Sequence, residues 1–216
     1  MWPFHPDQVK LGADVEKRKR THPDLVILYA SADNRVAATR LRSAGVRTLS
    51  LKTDRIAHFF HATELIGRLL GDSAGAAIVV DSVKKTLDRV KAETAALPKP
   101  TVFWHIWDAP LITIGGGSYM TELIEIAGAR NIYGHMPDVS PNVSIEDVIK
   151  RNPTYIITGP EGAGKIKRDS KWSVSPAVRE GRVVVVDTAL VGRPAVRLGE
   201  AALALAALLH PGDSLR

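Results

Sequence analysis

The chain has 216 residues, 45% of them hydrophobic, and a formal net charge of +6. This is enough apolar material for one large or two small folded domains. The lack of cysteine excludes disulfides and thiolate metal sites, and no apolar run reaches the length of a membrane span. The segment 1–6 does not have the basic-then-apolar pattern of a signal peptide. The basic run 17–20 has no interleaved aromatic residues, which favours a solvated helix face over a nucleic-acid-binding surface.

The first third of the chain predicts alternating strands and helices. Apolar, β-branched runs predict strands over 25–29 and 46–51. Helical spacing of apolar residues predicts helices over 34–43 and 54–70, each followed by a glycine. This alternation is typical of an α/β fold.

A long helix is predicted next, over 73–97, with Asp72 or Ser73 as its N-cap and Pro98 after its end. Its apolar positions share one face: Val79, Val83, Leu87, Val90 and Leu97. Because this helix stands between two α/β blocks, we expect it to join two lobes.

The second block repeats the alternation of strands and helices. The predicted strands are 102–107, 111–114, 155–158 and 183–186, and the predicted helices are 119–127, a short helix at Glu146, and 198–209. The fold class is therefore α/β, with mostly parallel sheets covered by helices.

Two distant segments share one pattern. A capping residue precedes Glu16 by two positions and Pro23 follows it by seven; the same spacing surrounds Glu146, with Pro153 after it, 146 − 16 = 130 residues later. This indicates two related lobes, each with one glutamate at the same place, as a docking device. The alternative is that such joints are common and that a helix dipole favours a first-turn glutamate anyway.

The segment from Gly159 to Lys165 fits the GxxxxGK pattern of a phosphate-binding loop after a strand. Such a loop needs Ser or Thr after the lysine and a helix that follows it. Ile166 replaces the hydroxyl residue, and 167–171 has no amphipathic period. A flexible glycine loop is the favoured interpretation, and a nucleotide-binding enzyme is the alternative function.

The sequence 115–118, Gly-Gly-Gly-Ser, lies between a predicted strand and a predicted helix. It could hold a phosphate, but it lacks the third glycine of a dinucleotide fingerprint. A tight turn with positive φ, with Ser118 as N-cap, is the favoured interpretation.

Catalytic and metal-binding patterns are not found. His105 and His135 lack metal-ligand spacing, and His58 and His61 have no nearby carboxylate. No nucleophile elbow is present, so we predict a protein that is not an enzyme.

Aromatic residues stand out near the predicted strand ends. Trp104 and Trp107 are three positions apart on one predicted strand, so they face opposite sides and at least one should leave the core. Trp172 and Arg193 also lie near strand ends or in loops.

Several segments together resemble one known family. They are Trp107-Asp108-Ala109-Pro110-Leu111, then 115–118, 122–128, 131–132, 143–153, 177–183 and 193–211. In order and spacing they resemble the substrate-binding proteins of ABC importers for cobalamin, haem and ferric siderophores, with the cobalamin-binding group nearest. The resemblance covers about residues 16–211.

This resemblance implies two α/β lobes joined by one long helix, with the ligand held in the cleft between them. The expected boundaries are 1–72 for the first lobe, 73–97 for the helix and 98–216 for the second lobe. The family's glutamates that contact permease arginines correspond to Glu16 and Glu146. The implied partners are a membrane permease and a small-molecule ligand, with no nucleic acid, and the implied location is periplasmic or extracytoplasmic.

The resemblance also implies a set of ligand-binding residues, and Ser140 falls where close cobalamin binders can carry an aromatic. The expected set is Trp107, Asp108, Leu111, Ser140, Trp172 and Arg193. The implied ligand is cobalamin, another tetrapyrrole or a ferric siderophore, with no cofactor and no metal ion held by the protein.

The start of the chain departs from the family pattern. The family has a β-α-β unit before the helix of Glu16, and here fifteen residues precede that residue. We therefore expect an incomplete first lobe, with an exposed strand edge beside 25–29. A misplaced start, a truncation and a diverged relative are the three explanations.

Overall fold

A computed structural model describes residues 23–213. The described residues divide into two compact units, with the boundary between Thr53 and Asp54. Glu16 and the basic run 17–20 lie outside the described residues.

The first unit contains a small parallel sheet and one helix. Strands β1 (Val26–Tyr29) and β2 (Thr48–Leu51) pair in parallel, with Val26 opposite Thr48. Helix α1 (Ala32–Ser43) connects them, and the Ser31 hydroxyl caps it by accepting from the Asn34 N–H. The alternating burial of β1 places Val26 and Leu28 against the inner face of α1, in a small apolar core.

The second unit is built on a four-stranded parallel sheet in the order β6-β3-β7-β8. These strands are β3 (Thr101–His105), β6 (Arg130–Asn131), β7 (Tyr155–Thr158) and β8 (Val183–Val185). Strands β3 and β7 are almost wholly buried, so they are apolar on both faces rather than alternating. A separate two-residue hairpin, β4 (Trp107–Asp108) with β5 (Leu111–Ile112), follows β3 directly.

Helices make up most of the rest of the second unit. Helix α2 (Ile56–Leu70) precedes α3 (Ser73–Thr94), a 22-residue helix whose cap Asp72 accepts from the Gly75 N–H. The others are α4 (Tyr119–Ile126), α5 (Ile145–Arg151), α6 (Pro160–Arg168), α7 (Pro176–Arg179), α8 (Thr188–Val191) and α9 (Leu198–Leu209). Between residues 23 and 213, no helix combines the length and apolarity that crossing a bilayer requires.

One side of the sheet carries an aromatic core. The Phe103 ring lies 6.2 Å from the Tyr133 ring and 5.7 Å from the Trp172 ring, measured between centroids. Ile156 of β7 is fully buried in the same cluster. Aromatic pairs at these separations add to the stabilisation from apolar burial.

The sequence located most elements of the second unit. The strand 155–158 and the helix 198–209 are confirmed to the residue. The predicted strand 102–107 is shorter at its end, because β3 stops at His105 and the chain turns into the hairpin. Helix α2, expected in the first lobe, lies in the second compact unit. The role of α3 as a link, and the boundaries 1–72, 73–97 and 98–216, stay predictions.

The buried sheet should dominate stability. Replacing Ile156, which is 0% exposed, with alanine removes buried methyl and methylene groups and should cost about 2–5 kcal/mol of unfolding free energy. The control is Ile78→Ala on α3, a position that is 71% exposed, where the change should stay within about 0.5 kcal/mol. Urea denaturation followed by tryptophan fluorescence measures both. Equal effects of the two substitutions would contradict the placement of β7 in the core.

Candidate functional site

The strands β3, β7 and β8 end at one edge of the sheet, which we call the carboxyl edge. From β3 the chain goes to β6 on one side, whereas from β7 it goes to β8 on the other side. In open parallel sheets, the loops diverge where this direction reverses and leave a crevice that binds ligands. The reversal falls between His105 at the end of β3 and Thr158 at the end of β7. This point is the candidate site.

His105 is the buried centre of the site. Its side chain lies between two polar partners: Nδ1 is 3.2 Å from Thr158 Oγ1, and Nε2 is 2.8 Å from Asp108 Oδ1. A carboxylate can only accept, so we assign the ring proton to Nε2, which donates to Asp108. In the neutral ring, Nδ1 then accepts from the Thr158 hydroxyl.

Asp108 connects the buried histidine to the surface. Its second oxygen, Oδ2, lies 3.1 Å from Lys165 Nζ of helix α6. The side chains of Asp108 and Lys165 are 44% and 55% exposed, in contrast to His105 at 3%. The three side chains therefore form a polar series that starts in the core and ends at the surface of the carboxyl edge.

Burial and charge set the protonation states of this series. Burial lowers the pKa of His105 below its ordinary value of 6.5, and the Asp108 carboxylate compensates only in part, so the ring is neutral at neutral pH. Burial alone raises the pKa of Asp108, but the hydrogen bond from Lys165 and the charge of His105 outweigh it, and the pKa is lowered.

The hairpin after β3 presents two of the predicted ligand-binding residues. Asp108 pairs with Leu111 across β4 and β5, and the Trp107 indole N–H donates to the Ala109 carbonyl at 3.1 Å. The Ala109–Pro110 peptide is cis. Trp107 and Asp108 thus lie together at the carboxyl edge, each with an orientation fixed by a hydrogen bond.

The other predicted ligand-binding residues have different surroundings. Leu111 is 8% exposed and Trp172 is 3% exposed, and both belong to the aromatic core beside Phe103. Ser140 and Arg193 are exposed loop residues, before α5 and after α8. The structure brings Trp107, Asp108 and Leu111 into one hairpin. The ligand contacts of all six residues stay predictions.

The tryptophan expectation holds, but the reason differs. Trp104 is fully buried and Trp107 is partly exposed, so one of the two leaves the core. They do not share a strand, since β3 ends at His105 and Trp107 begins the antiparallel hairpin.

The interpretation of residues 159–165 as a flexible glycine loop is wrong. Pro160–Arg168 forms helix α6, with proline in the first turn where no N–H partner is needed. Gly162 lies directly over His105 and Thr158, where a Cβ atom would collide with the threonine hydroxyl. Gly162 and Lys165 are therefore inside a helix rather than in a loop before one, which is incompatible with a phosphate-binding loop.

The turn 115–118 does cap helix α4, through the Ser118 hydroxyl, which accepts from the Met120 N–H at 3.2 Å. The expected positive φ is not found at Gly115, Gly116 or Gly117. These residues are glycines because a Cβ at each would meet a backbone carbonyl of the segment 134–138. Their N–H groups donate to Val139, Met136 and Asp138 carbonyls, so none is left for a phosphate.

Glu146 lies where the sequence placed it, in the first turn of α5. The Ser144 hydroxyl caps this helix by accepting from the Asp147 N–H at 3.1 Å. Hydrogen bonds from its own N–H and from Ser144 lower the pKa of Glu146, which keeps this exposed carboxylate ionised. Its partner in the proposed docking pair, Glu16, is outside the described residues.

Helix α5 is fastened to the core next to Glu146. Asp147 accepts from the Tyr133 hydroxyl at 2.8 Å and from Arg151 Nε at 2.7 Å. The Arg151 guanidinium also lies 4.8 Å from the centre of the Tyr133 ring. This network holds a helix of only seven residues in place.

Sequence reasoning missed Thr158, and it considered His105 only as a metal ligand and Lys165 only as the lysine of a phosphate-binding loop. The available signal was a histidine three positions before an aspartate at the end of a predicted strand. Over the part of the chain described, 23–213, no group of three or more His, Asp or Glu side chains is placed to hold a metal ion.

Comparison with known proteins gives one family. A family model described as periplasmic binding protein matches residues 10–190. The chain is 30% identical over 204 residues to a Halobacterium salinarum protein named cobalamin-binding protein, a match that covers 87% of this chain and 53% of that protein. It is 24% identical over 190 residues to the vitamin B12-binding protein of Vibrio vulnificus, covering 86% and 68%. The chain thus spans about half the length of the first relative.

Solved structures share the fold. A substrate-binding protein of an ABC transporter from Listeria monocytogenes superposes with a TM-score of 0.80 at 20% identity, covering 90% of this chain and 80% of that chain. The vitamin B12-binding protein of Vibrio cholerae gives 0.76 at 20% identity, covering 91% and 77%. At this identity the likeness concerns the fold alone.

The buried imidazole should make stability depend on pH. When folding lowers the pKa of a base, the unfolded state binds the proton first as pH falls. Stability is then at its full value above the unfolded pKa and declines as pH falls from there toward the folded pKa. The unfolding midpoint of the protein should therefore decline as pH falls below 6.5, and His105→Gln should flatten this decline. Urea titrations at several pH values measure it. The control, His61→Gln on the exposed face of α2, should keep the slope of the unchanged protein; an identical slope in His105→Gln would refute the burial of a neutral ring.

Two glycines of α6 should respond in opposite ways to alanine. Gly162→Ala places a Cβ against Thr158 and His105 and should destabilise the fold by about 1–3 kcal/mol. At Gly164 the nearest atom is 3.5 Å away, on the flexible Arg168 side chain, so Gly164→Ala should stabilise by up to about 1 kcal/mol through helix propensity. Thermal unfolding of both variants measures the difference. A flexible loop at 159–165 would instead give two similar, small effects.

Proposed function

The chain belongs to the periplasmic binding protein family, and from this premise we propose that it is the ligand-binding component of an ABC importer. It binds and releases a small molecule without catalysing a reaction. Its place of action is the periplasm or another extracytoplasmic compartment, and its partner is a membrane permease.

The proposed ligand is a corrinoid, cobalamin first, with another tetrapyrrole or a ferric siderophore as the wider class. The names of two relatives support this choice, one a cobalamin-binding protein and one a vitamin B12-binding protein. The relatives are longer than this chain, so the assignment is made by similarity over the shared part.

The observation that carries the proposal is the polar carboxyl edge at the switch point between β3 and β7. An indole and a fixed carboxylate lie there side by side, in Trp107 and Asp108. A large, partly apolar ligand needs this combination of an aromatic surface and a few orienting polar groups. Leu111, Ser140, Trp172 and Arg193 complete the proposed ligand-binding set, with Trp172 acting from the core behind the edge.

Ligand titration tests this function. Cyanocobalamin, haem and a ferric siderophore are each added to the folded protein, and binding is followed by tryptophan fluorescence and calorimetry. We expect cyanocobalamin to bind most tightly. Asp108→Asn, which removes the charge at the carboxyl edge, should weaken binding about tenfold, since hydrogen bonds to charged groups are worth about 1.5–3 kcal/mol.

The matched control is Asp88→Asn, which removes the same charge from an exposed position on α3. Its affinity for cyanocobalamin should equal that of the unchanged protein. If the folded protein binds none of the three compounds, the proposed function is wrong. If Asp108→Asn and Asp88→Asn lose affinity for cyanocobalamin equally, the ligand binds at a different site.

We also propose that Glu16 and Glu146 dock the protein to the permease. Glu146→Lys should weaken docking about tenfold through lost charge complementarity, and leave ligand affinity unchanged, because the two surfaces are separate. Binding to the permease complex in lipid nanodiscs measures the effect. The control is the same charge reversal at Glu125, an exposed residue of α4, which should dock normally. Loss of ligand binding with normal docking in Glu146→Lys would reverse the assignment.

A further inference from the structure

The polar series His105–Asp108–Lys165 is more than a set of satisfied hydrogen bonds. We propose that His105 is a positioning residue for ligand binding: its Nε2–H fixes the Asp108 carboxylate, and through it Lys165, as a donor–acceptor pair for the ligand. The inference rests on the function proposed above. It adds the residue that sets the geometry of the site and the chemical group on the ligand that this geometry recognises.

The orientation of His105 is fixed by two hydrogen-bond partners and by burial. Thr158 Oγ1 lies 3.2 Å from Nδ1, and Asp108 Oδ1 lies 2.8 Å from Nε2. Gly162 of α6 lies over the Nδ1 side, where a Cβ would come within 3.1 Å of Nδ1. The His105 side chain is only 3% exposed, so burial and its two hydrogen-bond partners hold the ring toward Asp108.

A fixed ring also fixes the carboxylate. Asp108 lies on a two-residue strand and its side chain is 44% exposed, so little packing restrains it besides its hydrogen bonds. The hydrogen bond to His105 occupies Oδ1 and leaves Oδ2 for Lys165, at 3.1 Å. Both members of the resulting ion pair are about half exposed, at the place where we expect the ligand.

This pair suits one kind of ligand group. A primary amide offers an N–H donor to the carboxylate and a carbonyl acceptor to the ammonium at the same time. The corrin periphery carries such amides, whereas the acidic side chains of haem only accept when ionised and would be repelled by Asp108. We therefore expect the site to prefer the amide-bearing corrinoid to haem.

Protonation of His105 should loosen the pair. The charged groups that face the ring are Asp108 and Lys165, and Thr158 supplies the remaining polar contact. A protonated ring donates from both nitrogens, so the Thr158 hydroxyl must turn, and the new positive charge competes with Lys165 for Asp108. Affinity for an amide-bearing ligand should fall only as pH drops through the pKa of the buried His105, which burial holds below the ordinary 6.5.

Calorimetry with cyanocobalamin at about pH 7.5, and then at decreasing pH through the lowered pKa of His105, tests the proposal. His105→Leu should bind about tenfold more weakly at the higher pH, because the hydrogen bond to the carboxylate is lost. His105→Gln, which keeps an N–H donor but does not titrate, should restore affinity to within about threefold and lose the pH dependence. The control His61→Gln should retain both. Normal affinity in His105→Leu, or unchanged pH dependence in His105→Gln, would overturn the proposal.

A second measurement needs no ligand. Lysines are methylated with ¹³C, and the Lys165 resonance is identified by its absence in Lys165→Arg. In the ligand-free protein this resonance should shift as pH falls through the pKa of His105, which burial lowers below 6.5, and in His105→Gln it should not. If the Lys165 resonance shows the same pH dependence with and without His105, the positioning role is wrong. If the resonance follows His105 while cyanocobalamin, haem and the siderophore all fail to bind, the positioning of Lys165 stands and the proposed function fails. If His105→Leu does not fold, the affinity and the pH dependence of His105→Gln decide the test.

Discussion

Two parallel strands end side by side on a histidine and a threonine, and the chemistry of the carboxyl edge depends on the hydrogen bond between them. Before these residues, β3 and β7 are apolar on both faces, as burial requires. A buried imidazole is costly unless both nitrogens have partners. His105 obtains one partner from the adjacent strand and the other from the hairpin that follows its own strand. The need to satisfy one buried side chain thus fixes the loop that carries Asp108.

The same constraint explains one of the two glycines in α6. The helix must pass directly over His105 and Thr158, and Gly162 is the residue at the closest approach. A helix this close brings Lys165, one turn later, to the outer oxygen of Asp108. Strand end, hairpin and helix are therefore linked by a single packing requirement. The exposed ion pair at the surface is a consequence of the buried contact beneath it.

The sequence predicted elements well where local patterns decide them. Helix 198–209 is a nearly continuous apolar run, and the Glu146 helix has its capping serine in the sequence. Helix α6 was missed because the face that packs on the sheet contains Gly162, which contributes no hydrophobic period. Its stability comes from tertiary contact, which overrides the weak helix propensity of glycine.

The site was harder to predict because its members are distant in the chain. Lys165 is 57 residues from Asp108 and Thr158 is 53 from His105, and only the sheet order brings them together. Aromatic residues near strand ends were equally ambiguous. Trp172 turned into the core beside Phe103, while Trp107 stayed at the edge, and spacing alone does not distinguish these outcomes.

Helix α5 has a consequence for how this surface can change during evolution. Seven residues are too few to remain helical in isolation, so the helix persists through its attachment to Tyr133. Asp147 and Arg151 share this attachment, and a change at one of the three removes a contact from each of the other two. We expect these three positions to covary among relatives as one group. Glu146 is not part of this network. We expect the residues allowed at this position to be limited instead by the molecule that binds there.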